Sequence, residues 1–242
     1  MADFKTHITA STIAGAAYGY WGSATQGMPL ESSLVAAGLC SVSGMLPDLD
    51  SDSGVPLRET TMFASAVVPM LALGRFRELE MSPESMVLAA GLIYILLRFV
   101  IAEFFKRYTV HRGMWHSIPA AVSAALLAYL IMPSAEEVVR IYKTLAVFLG
   151  FMIHLILDEI WAVQFKGGRF RLKKSFGTAL KFWGNKAWAN ISVYGKLALL
   201  LWLAYNDTNL FHEARELRYT MQRPSDLRWG ADEWQGYFRK LR

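Results

Sequence analysis

The sequence predicts an all-α fold, a polytopic helical membrane bundle of about six or seven helices. Three observations predict it. Hydrophobic residues make up 54% of the 242 residues, above the about 45–50% usual in soluble domains, and the mean hydropathy is +0.26. Charged residues make up 19%, short of the usual quarter or so. The apolar residues also gather into long runs with almost no charge. Such runs lack the polar face that a soluble helix shows at the helical period.

Taken in order, seven runs read as helices. The first, 7–22, is rich in Ala, Gly and Thr, small side chains that let helices pack closely in lipid. The second, 31–46, ends before Pro47, which cannot continue a helix. The third is 60–74. The fourth, 86–105, contains the strongest run, Met86 to Leu97, with Arg98 just beyond it. The fifth, 117–132, is closed by Pro133. The sixth is 144–163, and the seventh is 191–206. A full crossing takes roughly 20 apolar residues, and several runs are shorter. A soluble all-α protein with buried helices is therefore the competing fold.

No β-type alternation and no internal repeat is expected. The predicted organisation is a membrane-embedded domain over 1–206 and a mixed-charge tail over 207–242. Cys40 stands alone, so an internal disulfide is excluded and no oxidising compartment is implied. A cleavable signal sequence is not expected, because the start lacks the usual order of basic and apolar regions. The net charge is +5. The basic residues sit beside the apolar runs, an arrangement that membrane orientation explains and that gives no reason to expect nucleic acid. The residues specify no oligomeric state.

If the seven runs alternate, the N-terminus, 47–59, 106–116 and 164–190 share one side. That side carries twelve Lys and Arg, seven of them from Lys166 to Lys186. The loops opposite carry four: Arg75, Arg77, Arg140 and Lys143. The excess of positive charge predicts that the first side is cytoplasmic.

Four of the five His occur in suggestive settings. His154 and Asp158 stand at i and i+4, so they share a helix face. An imidazole with a carboxylate suits Zn, Mn or Fe better than Ca. Asp48 and Asp50 flank Leu49 just after Pro47, where a loop can aim both carboxylates inward. His111 and His116 bracket Gly113, where a bend could turn both toward one point. His7 opens the first helix. The alternating topology, which uses none of these motifs, brings all seven residues to the same face. Each alone has a structural reading: His154 as a hydrogen-bonded core residue, Pro47-Asp48-Leu49-Asp50 as a turn, Trp115 as an interfacial anchor. Ionisable groups in membrane helices are costly, and by default they point to function.

These motifs resemble the YdjM-like inner-membrane family, described as metal-dependent hydrolases. The matching pieces are Thr6-His7, Leu46-Pro47-Asp48-Leu49-Asp50, His111-Arg112-Gly113 with His116-Ser117, and His154-Leu155 leading to Asp158. They cover roughly 5–163. A looser similarity joins that family to the all-α zinc-dependent phospholipase C and single-strand nuclease group. The family often has a His soon after Pro-Asp-x-Asp. Here Ser51, Asp52 and Ser53 follow, so Asp52 either replaces a ligand or is simply solvated.

The resemblance implies a membrane-bound hydrolase. His7, Asp48, Asp50, His111, His116, His154 and Asp158 would hold a divalent metal, Zn first with Mn or Fe as alternatives. Seven ligands exceed one tetrahedral site, so two ions are expected. Asp50 or Asp52 would act as general base, and Arg112 would contact a phosphoester, such as a lipid headgroup. Two other classes compete. A divalent-metal transporter would place its ligands near the bilayer midplane, often between repeated halves. A non-catalytic scaffold would bind no metal.

Overall fold

A computed structural model describes residues 3–50, 55–101, 103, 113–134, 136–166, 169–172 and 177–221. Side chains are placed for 3–48, 58–100, 103, 113–134, 136–163 and 177–207. The chain divides into two units, 1–201 and 202–242. Helix α1 (Phe4–Thr25) leads to α2 (Leu30–Ser43) and a 3-10 turn (Leu46–Asp50). Next come α3 (Val55–Leu71), the short α4 (Leu73–Glu78) and α5 (Pro83–Ile95), which runs into a π-helical turn (Leu96–Ile101). Then follow α6 (Ile118–Ile131) and α7 (Glu137–Ala162), and a hairpin of β1 (Val163–Lys166) and β2 (Arg169–Leu172). The last element, α8 (Ala187–Met221), continues into the second unit, where Asn206 Nδ2 donates to the carbonyl of Trp202 at 2.7 Å.

Local chemistry sets the helix starts. Asp3 caps α1 by accepting from the Thr6 amide at 2.9 Å and from the Thr6 hydroxyl. The Thr6 hydroxyl, then its amide, hold the Asp3 carboxyl below its ordinary value. Ser82 caps α5, and Pro83 takes the first helical position, where a missing amide hydrogen is harmless. Ser117 caps α6 in the same way.

The core of the first unit is α1, α2 and α7. Ser11 meets Ser41, and Gly15 and Gly19 meet Ala37 and Ser33, so α1 and α2 run antiparallel. A Cβ on Gly15 would collide with the Ala37 carbonyl, and one on Gly150 would collide with the Cys40 carbonyl and the Ser43 hydroxyl. These glycines let backbones touch, which explains the small residues along the first run. On its other flank α7 packs Phe151 and Leu155 against Ala120 and Ala121 of α6.

The distribution of polarity is inverted relative to a soluble protein. His7, His116, His154, Thr60 and Ser11 are among the largest fully buried side chains, whereas Val87, Leu88 and Leu92 on α5 are 72%, 73% and 67% exposed. An apolar exterior of this extent needs an apolar solvent. Among the described residues, four stretches are long and apolar enough to cross a membrane: Leu30–Asp48, Pro83–Val100, Glu137–Ala162 and Ala187–Asp207.

The all-α expectation stands, with differences in detail. Helix α7 starts at Glu137, about two turns before the apolar run at 144. Arg140 joins it because its Nε donates to the Tyr129 carbonyl at 2.9 Å and its guanidinium covers the Tyr129 ring at 3.6 Å. Such partners let a charge enter a helix that composition alone would end. The hairpin contradicts the expected lack of β-type alternation. Each strand has only four residues, too few to register against the basic character of the segment.

Candidate metal centre

Four elements converge at one end of the bundle. Helix α1 begins there with His7, and α2 ends there and leads into the 3-10 turn that carries Asp48. Helix α6 begins there after His116, and α7 arrives there with His154 and Asp158. Backbone contacts hold each in place. Ser11, one turn after His7, donates to the His7 carbonyl at 2.8 Å and lies 2.9 Å from the Ser41 carbonyl, tying α1 to α2. Trp115 Nε1 donates to the Leu46 carbonyl at 2.8 Å. This fastens the His116 loop to the Asp48 turn, a task quite unlike that of an interfacial anchor.

The five side chains form two triads that share one residue. His7, His154 and Asp158 make one; Asp48, His116 and His154 make the other; in each, the donor atoms lie within 4.8 Å of one another. His7 Nε2 is 3.3 Å from Asp158 Oδ1. His154 Nε2 is 3.6 Å from Asp48 Oδ1 and 4.0 Å from Asp158 Oδ2. His116 Nε2 is 3.9 Å from Asp48 Oδ1. The His7 and His154 rings stack at 3.6 Å. All five residues are buried.

The tautomer of His154 decides what the cluster can do. Its Nδ1 lies 2.7 Å from the Gly44 carbonyl. A carbonyl can only accept, so Nδ1 carries hydrogen. In the neutral ring Nε2 then presents a lone pair, aimed between two carboxylates. Three electron-rich groups facing one another are unfavourable without a cation between them. His154 Nε2 and both Asp158 oxygens are buried and make no hydrogen bond among the described residues. A proton shared between Nε2 and a carboxylate would pull them to about 2.7–2.9 Å. Donors about 2.0–2.2 Å from one tetrahedral ion sit roughly 3.3–3.6 Å apart. The 3.3 and 3.6 Å separations fall in that range, and the 3.9 and 4.0 Å separations lie just beyond it. The Gly44 contact is also the kind of outer-shell bond that orients a metal-binding imidazole. The residues present therefore fit a divalent ion.

His154 has one free nitrogen, so it can serve only one ion. The two triads are thus either one site of up to five donors or two sites of which only one includes His154. A single divalent charge balances the carboxylates of Asp48 and Asp158.

Of the seven ligands expected from the sequence, the structure brings together His7, Asp48, His116, His154 and Asp158. Asp50 closes the 3-10 turn, but its side chain lies outside the described residues. His111, Arg112 and Asp52 lie outside them entirely. Sequence reasoning overlooked Glu159, both of whose carboxylate oxygens are buried without a hydrogen bond among the described residues. Its signal was its place beside Asp158, at the end of the stretch 144–157 that carries no Lys, Arg, Asp or Glu.

A family profile described as YdjM inner membrane protein matches residues 1–206. No curated protein and no solved structure matches the chain significantly.

Proposed function

The chain belongs to the YdjM inner membrane protein family, and from that premise we propose that this integral membrane protein is a metal-dependent phosphoester hydrolase. We place its site at the cytoplasmic interface. The observation that carries the reading is the His154 lone pair, fixed by Gly44 and directed between Asp48 and Asp158. A structural histidine would have spent both nitrogens on hydrogen bonds.

His7, Asp48, His116, His154 and Asp158 would hold the ion, zinc by preference, because three imidazoles and two carboxylates suit it. A bound divalent ion supplies Lewis acidity and lowers the pKa of water toward about 7. The chain supplies the rest. Gly44 and Trp115 keep the ligands oriented. Asp50 or Asp52 accepts the proton from the attacking water, Arg112 meets the phosphoryl oxygens, and His111 with Asp50 could complete a second ion's shell. The excess of basic residues from Lys166 to Lys186 supports a cytoplasmic position for this end of the bundle. A phospholipid headgroup is the preferred substrate, since the cluster lies at one end of an apolar helical bundle.

The test is zinc content by elemental analysis of detergent-purified protein, for wild type, His154→Ala and Asp158→Ala. Hydrolysis of bis(p-nitrophenyl) phosphate and of phosphatidylglycerol is measured on the same samples. The expected result is zinc and turnover in wild type and neither in the variants. Wild type without metal overturns the proposal at its root. Wild type with metal but no turnover on either ester overturns hydrolysis and leaves metal transport as the better reading.

A further inference from the structure

Arg98 lies in a membrane-spanning helix, and the proposed reaction makes no use of it. It stands two residues short of the end of the apolar stretch Pro83–Val100. A charge inside such a stretch is costly, and a guanidinium cannot shed its proton to escape the cost. Arg140 meets that cost with the carbonyl and the ring of Tyr129. Arg98 is partly buried, yet it makes no hydrogen bond, ion pair or ring contact among the described residues, Glu103 included.

Its setting calls for an anion from outside the chain. Leu96, Phe99 and Val100 beside it are exposed, so this face meets acyl chains. Arg98 also sits in the π-helical turn Leu96–Ile101, and such turns are rare and frequent at functional sites. From 98 to 116 the sequence carries Arg98, Lys106, Arg107 and Arg112 against Glu103 alone. The local charge therefore attracts anions. Helix α3 starts just past the turn of Asp48 and packs on both that turn and the π turn. Helix α5 follows α3 after the short α4 and packs on it, so it runs back toward the start of α3. Arg98 thus lies at the end of the bundle that holds the His/Asp cluster, where a long basic side chain can reach the headgroup layer.

We propose that Arg98 is a binding site for the phosphate of an anionic phospholipid, with the acyl chains lying along Leu96, Phe99 and Val100. A guanidinium suits phosphate because it can donate two parallel hydrogen bonds to it. The excess of basic residues from 98 to 112 favours an anionic headgroup over a zwitterionic one. The site depends neither on hydrolysis nor on metal in the cluster.

Thermal unfolding of the full chain in uncharged detergent tests this, with dihexanoylphosphatidylglycerol titrated against dihexanoylphosphatidylcholine. Phosphatidylglycerol raises the midpoint of the wild type and phosphatidylcholine does not. Arg98→Met raises the half-saturating concentration roughly tenfold or more, the effect of losing a hydrogen bond to a charged group. Arg98→Lys raises it less, because the charge stays and only the paired geometry goes. Asp158→Ala responds like the wild type, which separates this site from the cluster. Without lipid, Arg98→Met unfolds no more easily than the wild type, a readout that a structural arginine would move. Equal helical circular dichroism shows that the variants are folded. An equal wild-type response to both lipids overturns the proposal, as does an undiminished response in Arg98→Met. A lower lipid-free midpoint in Arg98→Met overturns it in favour of a partner within the chain. A shift reproduced by glycerophosphoglycerol, the headgroup without acyl chains, overturns it in favour of a soluble anion.

Discussion

The two ends of α7 both bury polar side chains, yet they treat them in opposite ways. Near its start Arg140 is 6% exposed. Its Nε reaches the Tyr129 carbonyl at 2.9 Å, and its guanidinium lies over the Tyr129 ring and 3.9 Å from Glu137. Tyr129 donates to Glu137 at 2.6 Å, and Tyr18 and Tyr142 each donate to the other's carbonyl at 3.0 Å. These groups satisfy one another and fasten α1, α6 and α7 together. Near the other end, His154 Nε2 and the Asp158 oxygens face each other without a hydrogen bond among the described residues. A satisfied polar cluster is fastening. A cluster with its acceptors pointed at one another is shaped for a cation.

The largest expected effect tests that contrast directly. His154→Ala and Asp158→Ala should each weaken zinc binding by more than the about 10–100-fold that loss of an outer-shell partner costs. Arg140→Met should leave zinc affinity unchanged. Competition with a chelating dye measures all three. Zinc affinity that falls equally in Arg140→Met and His154→Ala would erase the distinction between the two ends.

The next effect is one of sign, read in metal-stripped protein. Arg140→Met removes a charged hydrogen bond, about 1.5–3 kcal/mol, and a cation–π contact, about 0.5–2 kcal/mol. Unfolding should therefore become easier by about 2–5 kcal/mol. Asp158→Asn removes a buried carboxylate whose oxygens make no hydrogen bond among the described residues, so stripped Asp158→Asn should unfold no more easily than stripped wild type. With zinc restored, wild type should overtake it. Denaturant titration with and without chelator gives all four values. A stripped Asp158→Asn protein that is markedly less stable would mean that the carboxylate is already satisfied.

Much of this was legible in the sequence, for physical reasons. The helices follow from long uncharged runs, and the His154/Asp158 face follows from the 3.6-residue period. Alternating topology could bring His7, Asp48 and His116 to the same end because it depends only on counting crossings. What stayed hidden depends on tertiary partners. Arg140 looks like a helix boundary until Tyr129 is beside it. Trp115 looks like an interfacial anchor until the Leu46 carbonyl is found. The hairpin hides because its four-residue strands alternate within a segment that reads simply as basic. Gly44 offers only a backbone carbonyl, and no side-chain motif can announce it.

A smaller effect sits between the two ends of α7. A Cβ on Gly150 would meet the Cys40 carbonyl and the Ser43 hydroxyl, and backbone cannot easily give way. Gly150→Ala should destabilise the protein by about 1–3 kcal/mol, the usual range for overpacking. Gly150 lies one turn before His154, and Cys40 lies one turn before Gly44. Pushing α7 off α2 therefore also stretches the contact between His154 Nδ1 and the Gly44 carbonyl. Stability and zinc affinity should fall together, whereas Arg140→Met lowers stability alone. Denaturant titration and dye competition on the same preparation separate the two patterns.

The smallest effect concerns Trp115. Its indole nitrogen holds the Leu46 carbonyl at 2.8 Å, and its ring meets Phe151 edge-on at 6.5 Å. Trp115→Phe keeps an aromatic ring there and removes the hydrogen bond, a loss of about 1 kcal/mol. The bond joins the loop of His116 to the turn of Asp48, so the loss should fall on the triad of Asp48, His116 and His154. If that triad belongs to one five-donor site, zinc should bind about tenfold more weakly in a single transition. If the triads hold separate ions, only one of two binding steps should weaken. Zinc titration followed by calorimetry distinguishes one step from two. Unchanged zinc binding in Trp115→Phe would mean that the loop is held by its own turn, where the His116 amide reaches the Gly113 carbonyl at 3.2 Å, rather than by its neighbour.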